Sequence, residues 1–127
     1  MNVLVDTQSF IWFFENSSRL PVPIRLFMER SDNLVVSMAS FWEITIKTSL
    51  GKLVIPEDIT GVMDKALLNG FKILPIEREH LITLSALKLI HRDPFDRIII
   101  AQAIAENMSL VSSDNIFQQY PVNCVWE

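Results

Sequence analysis

A chain of 127 residues, half of them apolar, is the size of one domain with a sizeable core. Its 11 basic and 15 acidic side chains leave a net charge of -4, which excludes a protein that coats nucleic acid through bulk positive charge and confines any such contact to a local basic patch. Cys124 is the only cysteine, so no internal disulfide can form and a reducing, cytoplasmic setting is expected.

The first stretch, MNVLVDTQSFIWFF, is apolar, but Asp6 and the following Glu15 interrupt it and it has no basic leader region. It reads as mature folded protein. No window reaches the ~18 consecutive apolar residues of a spanning helix, so no membrane association is expected. From there the chain alternates short β-branched runs with longer runs of helical period. VLV at 3–5 is a strand, followed by helices at about 7–15 and 23–31; LVV at 34–36 is followed by helices at about 39–50 and 57–69. FKIL at 71–74 precedes helices at about 78–90 and 94–107, and SLVS at 109–112 and VNCVW at 122–126 close the series. Pro21, Pro23, Gly51, Pro56, Gly70 and Pro121 stand at the joins. The alternation predicts an α/β fold built of βαβ units around a central parallel sheet of four or five strands.

The helix expected from Pro94 is apolar on every side, as a helix packed on more than one face must be, yet it begins in charge: His91, Arg92, Asp93 and Asp96. Asp93 has an ordinary explanation, an N-cap ahead of a proline at the first helical position. Asp96 does not, because Glu or Gln is the usual residue three places on. Other carboxylates sit at comparable places. VLV runs into Asp6, LVVS leads to Glu43 in the next helix, and SLVSS runs into Asp114. In a parallel sheet the C-terminal ends of all strands share one edge, where ligands bind, so Asp6, Glu43 and Asp114 are expected to converge there. Asp96 follows no strand, and its place at that edge is inferred from the helix N-terminus.

Each acid taken alone suits a cap or a surface pair. Ser40-Phe-Trp-Glu43 reads as a capping box and Glu43 can pair with Lys47. Together, four carboxylates at one edge repel at ~1 kcal/mol or more per close pair. A divalent cation removes that conflict, and oxygen ligands without a His or Cys cluster suit Mg²⁺ or Mn²⁺ rather than zinc. Such a centre polarises a phosphate and activates water, the chemistry of phosphodiester hydrolysis.

VLVDT at the start, VSMASFWEITIKTSLGKL in the middle and HRDPFDRIIIAQAIAENMSLVSSD near the end jointly resemble the PIN domain, specifically the small ribonucleases of the VapC type that serve as toxins in bacterial toxin–antitoxin pairs. The resemblance implies a three-layer α/β/α fold, with residues 1–127 a single PIN domain. It carries an acidic quartet onto Asp6, Glu43, Asp96 and Asp114, which would be both catalytic and metal-binding. Asp6 and Asp96 would be direct ligands of Mg²⁺ or Mn²⁺, Asp114 would complete the coordination or support it, and Glu43 would orient water or a second ion. Thr7 and Ser112 match polar positions near such centres. The implied activity is metal-dependent cleavage of an RNA substrate by in-line attack of water, leaving 5′-phosphate and 3′-hydroxyl ends. A cognate antitoxin is the implied partner, while the apolar fraction of 50% in so short a chain predicts at least a homodimer with apolar helix surface in its seam. The stripe from Phe10 to Phe14 exceeds what one core face needs, so part of it is expected to line an antitoxin groove or a dimer seam.

Arg92, Arg97, Lys47 and Lys52 stand near the expected rim and could meet RNA phosphates. His91 reads as a turn hydrogen-bonder and stays outside the catalytic set. Rival enzymes fit poorly: the haloacid-dehalogenase-like phosphatases need a second Asp where Gln8 stands, and Gly51, Gly61 and Gly70 form no phosphate loop. The remaining alternative is a catalytically silent PIN-like module that binds RNA or protein.

Overall fold

The inner strands bury side chains on both faces, and that is the reason they read as apolar runs. Val3 and Val5 pack on one side of the sheet while Leu4 packs on the other, and Leu34 and Val36 alternate with Val35 in the same way. A computed structural model describes residues 2–126. Met1 and Glu127, both within the expected 1–127 domain, lie outside the described residues.

The strands are β1 (Asn2–Val5), β2 (Asn33–Ser37), β3 (Lys72–Leu74), β4 (Ser109–Val111) and β5 (Cys124–Val125). The helices are α1 (Thr7–Phe14), α2 (Val22–Glu29), α3 (Met38–Ser49), α4 (Ile59–Leu68), α5 (Arg78–Ala86) and α6 (Pro94–Ala105), with a 3₁₀ turn at Asn115–Gln119. The sheet is parallel throughout, in the order β3-β2-β1-β4-β5. One face carries α1, α2 and α4, with Phe10, Ile24, Met28, Val62 and Ala66 in its core. The other carries α6, with Ile98, Ile99, Ile100 and Ala103 packed beside Leu110 and Phe117. This is the expected three-layer α/β/α fold with five strands.

α6 answers to the sheet, to α5 and to α3 at once, so Ile98 through Ala103 are all buried and no polar stripe survives. α5 is shorter than its pattern, ending at Ala86 rather than near residue 90, with Leu87 already extended. The carbonyl of Lys88 is taken by Arg97 Nη1 at 2.9 Å, and the His91 backbone N–H is taken by the Tyr120 hydroxyl at 3.3 Å. Tertiary bonds thus claim the groups that another helical turn would need. At the other end of the sheet Gly70 joins α4 to β3 at φ +86°, a left-handed turn suited to glycine.

Candidate active site

The register of the three central strands sets the site. Val5 pairs with Val36 and with Val111, so the residues one step on, Asp6, Ser37 and Ser112, stand side by side along the C-terminal edge. The Asp6 N–H donates to the Val111 carbonyl at 3.0 Å, carrying the ladder one residue past β1. Chain direction reverses its outward progress between β1 and β4, the switch point at which open α/β sheets bind ligands.

Asp6 is buried, 5% exposed, and its Oδ1 accepts the Ser9 N–H at 2.9 Å as the N-cap of α1. Burial pushes its carboxyl above the ordinary range; hydrogen bonds from Ser9 and Ser112 oppose this, and the charge of Glu43 adds to it. A carboxylate needed only as a cap would gain nothing from that depth.

On α3 the cap is Ser37, whose hydroxyl accepts the Ala39 N–H at 3.0 Å. This corrects the capping box expected at Ser40 and Glu43. The Ser40 hydroxyl lies instead 2.8 Å from Thr7 Oγ1, a buried bond that ties α3 to the start of α1. Glu43 is therefore free of capping duty. It is 5% exposed; Oε2 meets Lys47 Nζ at 2.7 Å, and Oε1 is buried without a hydrogen-bond partner among the described residues. An orphaned carboxylate oxygen of this kind costs free energy unless water or a cation meets it.

Asp96 reaches the same edge because α6 runs antiparallel to β4, so its N-terminus lies where the strands end. The cap itself is Asp93, whose Oδ1 accepts from Phe95 N at 2.9 Å and Asp96 N at 3.0 Å, as expected. Burial raises the Asp96 carboxyl first, and the charges of Asp93, Asp6, Glu43 and Asp114 add to it, bringing it to about 7. Asp114 is exposed, caps the 3₁₀ turn through Ile116 N at 3.0 Å, and receives no burial comparable to Asp6. Asp6, Glu43 and Asp114 thus stand near enough to Asp96 for their charges to act on it, and Asp114 is the exposed one.

Among the described residues no three His, Cys, Asp or Glu side chains form a preformed metal cage. The donor set still suits a hard cation that takes one or two carboxylates and keeps its waters, and the orphaned Glu43 oxygen with the crowded Asp96 is the strain such a cation relieves. The rim cations divide. Lys47 is held by Glu43 and Arg97 by Lys88 and Tyr120, whereas Arg92 and Lys52 are exposed.

The sequence singles out His91 only as a turn hydrogen-bonder and gives no sign of Tyr120. His91 Nε2 lies 3.3 Å from Asp96 Oδ2, and its Nδ1 lies 2.7 Å from the Tyr120 hydroxyl. No local pattern joins residues 29 positions apart; the only signal is a histidine close to an Asp that capping does not explain.

The PIN domain family model matches residues 3–123. No curated protein matches the chain. Among solved structures, VapBC2 from Rickettsia felis bound to a promoter DNA fragment is similar at 17% identity and a TM-score of 0.75, covering 100% of both chains. A toxin–antitoxin complex from Klebsiella pneumoniae aligns at 18% identity and a TM-score of 0.67, over 98% of this chain and 96% of that one. DNA-bound VapBC from Salmonella typhimurium aligns at 14% and 0.69, over 98% and 97%. At these identities the likenesses speak for the fold. Among the described residues no helix is long and apolar enough to cross a membrane.

Proposed function

The chain belongs to the PIN domain family, and from that premise we propose that it is a divalent-metal-dependent endoribonuclease, the toxin of a toxin–antitoxin pair. The observation that carries this reading is Asp96, a half-buried carboxylate raised to about 7 by burial first and then by the charges of Asp93, Asp6, Glu43 and Asp114. Nature tolerates such crowding where a cation or a reaction uses it.

In this reading Asp6 and Asp96 would hold Mg²⁺ or Mn²⁺, Asp114 would support it from the outer side, and Glu43 would orient a water through the oxygen that has no hydrogen-bond partner among the described residues. The bound ion supplies charge to polarise the scissile phosphate and to acidify water. The chain's own contribution is rigid placement. Asp6 is locked by its cap bond to α1, Glu43 is held by Lys47, and the Thr7–Ser40 bond keeps α1 and α3 in register at the edge. Exposed Arg92 and Lys52 are available to RNA phosphates despite the net charge of -4.

The structural relatives crystallised as toxin–antitoxin complexes support an antitoxin partner. The aromatic stripe supports it as well: Phe10 and Ile11 are core, while Phe13 and Phe14 line a cavity of about 280 Å³ with Arg25 and Lys65 4.8 and 5.1 Å over their rings. Such a floor suits an apolar segment carrying acidic groups. The catalytically silent module keeps the same fold and partners but cuts nothing.

Antitoxin-free protein incubated with total RNA separates the two. Cleavage in Mg²⁺ or Mn²⁺, loss of cleavage in chelator, and mapped 5′-phosphate and 3′-hydroxyl ends are expected. Intact RNA in both metals means the silent module. The protein is also proposed to be a homodimer, because half of its residues are apolar and large side chains such as Trp42, Leu50 and Leu89 are 57%, 62% and 70% exposed. Light scattering is expected to give twice the chain mass, and a monomer at high micromolar concentration would reject this.

A further inference from the structure

Around Tyr120 every proton is accounted for. Its hydroxyl lies 3.1 Å from Arg97 Nη1, 3.3 Å from the His91 backbone N and 2.7 Å from His91 Nδ1. A guanidinium and a backbone amide only donate, so they occupy the two lone pairs of the phenol oxygen. The phenol's own proton then has one place to go, His91 Nδ1. That nitrogen must present its lone pair, which leaves the ring proton on Nε2, the atom facing Asp96 Oδ2 at 3.3 Å. Tyr120 is buried, 4% exposed, and its ring stands edge-on to the imidazole at 5.5 Å, so the arrangement has little freedom to turn.

We infer that Tyr120 and His91 are positioning residues for Asp96, the Tyr120 hydroxyl fixing His91 as its Nε2–H tautomer and that proton holding Asp96 Oδ2 in one orientation. The inference rests on the reading of Asp96 as a cation ligand. With Oδ2 engaged by His91, Oδ1 is the oxygen left to face a cation. The relay starts from Arg97, whose second bond to the Lys88 carbonyl anchors it to the loop after α5. It also gives a purpose to the early end of α5. Another helical turn would carry residues 88 to 91 away from these bonds. His91 neither attacks nor takes a proton in this arrangement; it orients a carboxylate, as outer hydrogen-bond partners of ligands commonly do.

The test uses the full-length, metal-free protein and Mn²⁺ alone as the probe. Long-range proton–nitrogen spectra are expected to find His91 as Nε2–H in wild type and as a tautomer mixture in Tyr120→Phe, which deletes one oxygen from an otherwise unchanged ring. Mn²⁺ affinity, followed by electron paramagnetic resonance, is expected to fall about 10- to 100-fold in His91→Ala and less in Tyr120→Phe. His91→Gln, whose amide can donate, is expected to recover part of the loss. Cleavage by these variants should be restored by raising the Mn²⁺ concentration, a loss in metal affinity rather than in maximal rate. An Nδ1–H ring in wild type, or wild-type Mn²⁺ affinity in both His91→Ala and Tyr120→Phe, overturns the relay alone. An Asp96→Asn chain that binds Mn²⁺ as tightly as wild type overturns the acidic-centre reading itself, and with it the relay's purpose.

Discussion

Asp96→Asn is expected to lower RNA cleavage by orders of magnitude while leaving the metal-free protein as stable as the wild type, or more stable. A carboxylate serving only a helix end would behave in the opposite way, costing roughly 0.3 to 1 kcal/mol of stability and leaving catalysis alone. The pH dependence gives the sign. In the folded, metal-free chain Asp96 is raised from 3.8 to about 7 by burial and then by Asp93, Asp6, Glu43 and Asp114. Between those two values the folded state holds a proton that the unfolded chain has released, so the stability associated with Asp96 is fully present below about 3.8 and is lost as pH rises to about 7. Asn carries no such loss. In chelator, the melting temperature of Asp96→Asn should therefore exceed that of wild type most clearly above pH 7 and match it toward pH 4. Added Mg²⁺ should reverse the order, stabilising wild type by mass action and the variant far less. Thermal unfolding with and without chelator, paired with cleavage assays, checks all of it. A destabilised variant that still cuts at the wild-type rate would return Asp96 to a helix-end role.

The largest effect on stability is expected from Phe10→Ala. Phe10 is 1% exposed and stands one helical turn beyond Asp6, with its ring edge-on to Phe41 at 5.5 Å and to Phe71 at 5.3 Å and tilted against Phe14 at 5.9 Å. It is the contact through which α1, α3 and the lead-in to β3 agree on one geometry. Truncation removes the buried ring and leaves a cavity that three rigid aromatic neighbours cannot close, at a cost of about 3 to 5 kcal/mol. That is a large fraction of the roughly 5 to 15 kcal/mol that holds a domain together. Phe10→Leu, which retains most of the volume, should cost about half as much. Denaturant unfolding followed by tryptophan fluorescence measures both, with Trp12 and Trp126 packed at 6.0 Å as the reporter pair. A midpoint for Phe10→Ala close to that of wild type would show that α1 is held from elsewhere.

Local pattern determined a good deal of this protein. Runs such as VLV and LVV announce strands because they are short, β-branched and buried on both faces, and their alternation with helical runs implies parallel crossovers. Asp93 before Pro94 announces the start of α6 because the free amides of a first turn need an acceptor near at hand, and the structure supplies that acceptor where expected. Asp6 directly after β1 and Asp114 shortly after β4 are legible for a similar reason: the parallel topology alone sends every strand end to one edge.

What pattern could not determine is every feature made by residues distant along the chain. Apolar period reports that a side chain is buried, not which neighbour buries it. Pairing of β4 with β1 sets Ser112 beside Asp6, and the antiparallel run of α6 carries Asp96 to them. Ser40 looked like a cap because it stands three residues before Glu43, yet Ser37 caps the helix and Ser40 bonds Thr7, 33 residues away. α5 stops before its period does because Arg97 and Tyr120 claim the backbone groups that would have continued it. Hydrogen bonds local to the chain can be read from spacing, whereas those that close long loops exist only once the core has already brought their partners together, and in this protein the latter join Tyr120 to His91, the neighbour of Asp96.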